Sequence, residues 1–113
     1  GLVDELTEVY TKENYLDLNR KTRKLMEAGR LILISEKAQT IKYADIISNI
    51  SSIVEHDLDF AIIYVEEKDM YLPYMNKGCP VLYREAMEAV EKAREKIRNL
   101  VIERERKRLK RIK

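Results

Sequence analysis

Tryptophan is absent from the 113 residues, and cysteine, histidine, glutamine and phenylalanine occur once each. The lone cysteine, Cys79, excludes an intrachain disulfide and fits a reducing, cytoplasmic setting. The lone histidine, His56, excludes a pair of imidazole ligands for a metal ion. No stretch approaches the roughly 20 apolar residues that cross a bilayer. No signal-peptide pattern opens the chain, and Gly1 reads as a cloning remnant. With 3 glycines and 2 prolines, the usual chain breaks are scarce.

What is present is charge and isoleucine. Asp, Glu, Lys and Arg make up 37% of residues, a Lys/Glu-rich, Gln-poor balance typical of heat-adapted proteins. The formal net charge of +2 conceals a polarity. Residues 1–30 are balanced, residues 31–79 carry net −4 and residues 80–113 net +6. An acidic middle and a basic end point to intramolecular docking or to an anionic partner for the end. The length fits one small domain, 1–113, large enough to fold around its own core. A basic helical extension begins at about 102, and a piece cut from a longer protein is the alternative.

The strongest structural signal is the last third. Pro80 suits a first helical turn, and neither glycine nor proline follows it. Leu82, Ala86, Val90, Ala93, Ile97 and Val101 recur at helical spacing, predicting one helix over 80–113. At about 1.5 Å per residue it reaches roughly 50 Å, longer than a compact chain of this size is wide. Beyond Val101 the run turns basic, with Arg104, Arg106, Lys107, Arg108, Lys110, Arg111 and Lys113 against Glu103 and Glu105. A helix macrodipole favours one or two such cations, not seven.

Upstream, the pattern predicts a helix over roughly 3–28, bent near Thr11, with Gly29 as its C-cap. Leu31–Ile34 fits a short buried strand or a helix start, and its β-branched content after Gly29 favours strand. Thr40–Glu55 reads as helix, with a stripe from Ile46 to Val54. Phe60–Val65 and Met70–Met75 read as a hairpin, Pro73 placing the second strand at an edge. The expected fold is therefore predominantly helical, α+β through one small hairpin near 60–75, with an all-α bundle as the alternative.

Chemical motifs are weak. Glu55, His56, Asp57 and Asp59 present oxygen ligands for a divalent ion, but the same residues make an ordinary solvated helix end. Glu66-x-Lys68 after an apolar run, with Asp45, Asp57 and Asp59 upstream, has the composition of a Mg²⁺-dependent nuclease site. Glu-x-Lys is common by chance, and a single hairpin gives no nuclease sheet. Tyr64, Tyr71 and Tyr74 present aromatics near the hairpin. Their acidic neighbours fit core packing or a protein interface better than RNA stacking. No catalytic residue, metal site or cofactor is expected.

The leading expectation is a non-enzymatic interaction module, an accessory subunit of a nucleic-acid-handling complex. Arg104, Lys107, Arg108, Lys110 and Arg111 would contact phosphate without sequence choice; a solvated helix end beyond a coiled-coil-like stripe is the alternative reading of the same residues. Tyr64, Tyr71, Tyr74, Ile97 and Val101 would meet protein. The alternative is a homodimeric scaffold joined through the C-terminal helices, and the nuclease is the weakest of the three. No membrane partner is expected, because the tail has too narrow an apolar face.

Overall fold

The computed structural model describes residues 1–112. In chain order the elements are α1 (Leu2–Leu6), α2 (Arg20–Ile32), α3 (Glu36–His56), α4 (Leu58–Tyr71), a 3-10 turn (Leu72–Tyr74) and α5 (Pro80–Ile112). The fold is predominantly helical, and among the described residues it contains no strand. No described helix is long and apolar enough to cross a membrane.

Two expected β elements are replaced by helix. Phe60–Val65 lies inside α4, whose N-cap Asp57 accepts a hydrogen bond from the Phe60 N–H at 3.1 Å. Pro73 sits in the 3-10 turn, where its missing N–H costs nothing. Leu31 and Ile32 close α2, Leu33 is its C-cap and Ile34 leads into α3. Ser35 caps α3, accepting from the Ala38 N–H at 3.3 Å.

The expected helix over 3–28 is also divided. Helix α1 ends at Leu6, and α2 starts only after its cap Asn19, which accepts from Thr22 N–H at 2.8 Å. Gly29 lies within α2 rather than ending it. The connecting segment is held by one buried ion pair. Glu27, 5% exposed, accepts from the backbone N–H of Val9 at 2.9 Å and of Tyr10 at 3.2 Å, and from Arg30. Arg30 donates onward to the carbonyls of Glu5 at 2.7 Å and Thr7 at 2.9 Å. Burial works against the Glu27 charge, but the bonds from Arg30, Val9 and Tyr10 outweigh it and hold the carboxyl below its ordinary range.

The core lies where α3, α4 and α5 meet, with α2 against α4 and α1 against α3. Helix α5 contributes Ala86, Val90, Ala93 and Ile97, and α3 contributes Tyr43, Ile46, Ile50 and Val54. Each fully buried aliphatic of this kind stabilises by about 1.5–3 kcal/mol. A polar clasp sits at one end of this core. Gln39, fully buried, donates to the carbonyls of Ile32 and Ile34 and accepts from the Lys77 N–H at 2.8 Å. The Tyr43 hydroxyl donates to the Met75 carbonyl and accepts from the Gly78 N–H at 3.1 Å. Both connections flanking α3 and α4 are thereby tied to one turn of α3.

The Cα radius of gyration is 16.1 Å, against about 13 Å for a compact chain of this size. The difference comes from α5, which runs along a molecule 58 Å in its longest dimension. Every described residue beyond Val101 is exposed.

Candidate nucleic-acid interface

On α5 the buried row Ala86, Val90, Ala93 and Ile97 advances by steps of four, three and four. The same side of the helix continues through the half-buried Leu100 and Val101 to Arg104, Arg108 and Arg111. The row thus changes from aliphatic to arginine, in phase, where the helices beneath it end. Lys107 borders this row, Lys110 lies farther round, Ile102 and Leu109 lie on the far side of the helix, and Ile112 lies between them and the row. The basic face consequently looks back toward the body of the protein, over the junction between α3 and α4.

Arg104 is the first residue of that overhang. Its Nη1 donates to Asp59 Oδ1 at 2.7 Å, joining α5 to the first turn of α4. The hydrogen bond and charge of Asp59 raise the Arg104 pKa above its ordinary value. Arg108 pairs along its own helix with Glu105 at 3.3 Å. Among the described residues, no carboxylate lies within ion-pair distance of Lys107, Lys110 or Arg111.

The residues expected to meet protein are dispersed. Ile97 is 8% exposed and packs within the core, with Val101 half-buried beside it. Tyr64 and Tyr71, about two helical turns apart on α4, are interior, and Tyr74 alone of the three is on the surface, at 67% exposure. Tyr64 and Tyr71 thus follow the core-packing alternative rather than a protein interface. As helix, α4 turns its tyrosines inward.

Glu66 and Lys68 lie on α4, not between two strands of a hairpin, and on a helix neighbours two apart face different sides. Glu66 is exposed, whereas the Lys68 ammonium lies 4.3 Å from the Tyr64 ring centroid and 5.5 Å from that of Tyr71. Burial, and then the nearby charge of Lys42, lower the Lys68 pKa to about 8. Sequence reading weighed Lys68 only as half of Glu-x-Lys. Its aromatic seating depends on α4 being helical, which brings Lys68 beside Tyr64 and Tyr71 at spacings of four and three. Glu55, His56, Asp57 and Asp59 spread around the α3–α4 junction, and among the described residues no three His, Cys, Asp or Glu side chains gather as a ligand set.

The chain matches no family model, no curated protein and no solved structure.

Proposed function

We propose that this protein is a non-enzymatic interaction module that grips nucleic-acid phosphates with the overhanging face of α5, as an accessory subunit of a cytoplasmic nucleic-acid-handling complex. The observation that carries this reading is the register of α5. Arg104, Arg108 and Arg111 continue the row that is apolar upstream, so three cations share one exposed side with Lys107 beside them. A solvated helix end has no need of that phase. Guanidinium groups along one helix face suit successive phosphate oxygens, and such contacts add affinity without reading sequence.

A salt titration on an unrelated duplex tests the reading. Each phosphate contact adds about 0.9 to the slope of log affinity against log salt. Changing Arg104, Lys107, Arg108 and Arg111 together to Gln flattens the slope by about 3.6 when all four make contact, and by about 2.7 when Asp59 keeps Arg104 from phosphate. Helicity stays nearly constant, since Gln is a comparable helix former. Identical slopes for both proteins would overturn the proposal.

A homodimeric scaffold is the second reading, favoured by a different strip. Ile102, Leu109 and Ile112 are 46%, 60% and 72% exposed and follow one another at steps of seven and three, the spacing of a coiled-coil seam. Multi-angle light scattering separates the two: a dimer that becomes monomeric in Ile102→Ser/Leu109→Ser supports the scaffold.

A further inference from the structure

Between α2, α3 and α4 lies a shallow pocket with a volume of about 70 Å³. Its charged lining is Glu8, Glu27 and Glu67 with Lys24, Lys42 and Lys68. Each carboxylate already has a cation. Glu8 pairs with Lys24 at 2.9 Å, Glu27 with Arg30 at 2.9 Å, and Glu67 with Arg20 through two bonds of 3.0 and 3.1 Å. Among the described residues no carboxylate is within ion-pair distance of Lys42 or Lys68. Two ammonium groups, neither in an ion pair, therefore line the pocket together with Glu67, whose charge only partly offsets the effect of burial and of Lys42 on Lys68. Tyr71 also lines it; the residue is 4% exposed, and its hydroxyl makes no hydrogen bond to a described residue but is not sealed from solvent.

An unpaired, partly desolvated cation beside a like charge is stabilised by anything that supplies negative charge. The aromatic faces under Lys68 offset part of the desolvation cost but accept no hydrogen bond of ordinary strength. We infer that this pocket is a binding site for one small, doubly charged tetrahedral oxyanion of the phosphate class, held by Lys42, Lys68 and the Tyr71 hydroxyl. Its volume is far below the roughly 300–1,000 Å³ of sites for drug-sized ligands, so it takes a phosphate group and not a whole nucleotide. The site is separate from the α5 overhang and stands whether or not that face grips nucleic acid.

The test is an NMR titration of the full chain with sodium sulfate, against sodium chloride at matched ionic strength. Sulfate keeps its double charge over the whole pH range used. The expected result is saturable shifts of the Lys42 and Lys68 ε-methylene signals and of the Tyr71 amide, reproduced by inorganic phosphate. Binding weakens as pH rises through about 8, where Lys68 loses its proton. Lys68→Gln and Lys42→Gln each weaken binding by roughly tenfold or more, the loss of one charge-assisted hydrogen bond. Lys42 has no part in the contacts of Lys68 with the Tyr64 and Tyr71 rings, so its variant keeps the test valid if Lys68→Gln fails to fold. The four-Gln α5 variant binds sulfate as wild type does. Linear shifts equal in chloride, saturation unchanged in both lysine variants, or shifts confined to α5 would each overturn the inference.

Discussion

Arg104 Nη1 and Asp59 Oδ1 meet at 2.7 Å although 45 residues separate them in the chain. The contact links the first cation of the α5 overhang to the start of α4, and it engages one guanidinium that phosphate would otherwise claim. Asp59→Asn should therefore raise affinity for duplex DNA and steepen the salt slope by about 0.9, the share of one added phosphate contact. Thermal stability should change little, because both side chains are well exposed and such pairs contribute weakly. A steeper slope in equilibrium binding supports a phosphate role for Arg104; an unchanged slope assigns it to the intramolecular pair alone.

Gly78 is needed for space. A Cβ there would lie 2.6 Å from Tyr43 Cε2, 2.7 Å from Thr40 Oγ1 and 2.9 Å from the Thr40 backbone nitrogen. The backbone atom cannot turn aside as a flexible side chain would. Gly78→Ala is expected to cost about 1–3 kcal/mol in denaturant melts, the usual range for overpacking. Tyr43→Phe should cost a similar amount, because it strands the Met75 carbonyl and the Gly78 N–H. The double variant should lose less than the sum, since both changes loosen the same loop. A loss under about 0.5 kcal/mol for Gly78→Ala, the scale of a neutral surface change, would show that the loop swings clear freely.

Lys68 sets a pH dependence of definite sign. Its pKa falls from 10.5 to about 8 on folding, so between those values the unfolded chain holds more protons and stability rises with pH. Below about pH 8 the full cost of the buried charge is present. In a buffer free of oxyanions, Lys68→Met should stabilise the protein at pH 7 by on the order of 1–3 kcal/mol. The advantage should shrink as pH climbs from about 8 toward 10.5. A constant difference across that range would show that Lys68 is not desolvated.

Helix α5 was legible because one face is apolar and the rest polar, so its period shows. Helix α4 was not, for the opposite reason. It packs against α2, α3 and α5, so Leu58, Ala61, Ile62, Tyr64 and Val65 all meet apolar neighbours on different sides. A helix covered on several sides loses its period and reads like a buried strand. Asp57, three residues before Phe60, was a cap signal within reach. The division of the first 30 residues was hidden more deeply. It rests on Glu27 and Arg30 bonding to backbone groups of residues 5–10, contacts that no local pattern announces. In the candidate site, composition located the cations of the tail, but the partner of Arg104 depended on tertiary placement. The seating of Lys68 appeared only once α4 was helical.

The overhang of α5 also sets how its amide hydrogens exchange with solvent. As far as Ile97 the helix is buried against α3 and α4, so exchange there needs opening of the core. Past Arg104 the described residues are exposed, and each turn rests on its own backbone bonds. A helix end of that kind frays by itself and exchanges fast. Slow exchange between Glu105 and Ile112, acquired only in the presence of a ligand, therefore marks a clamp on the last two turns.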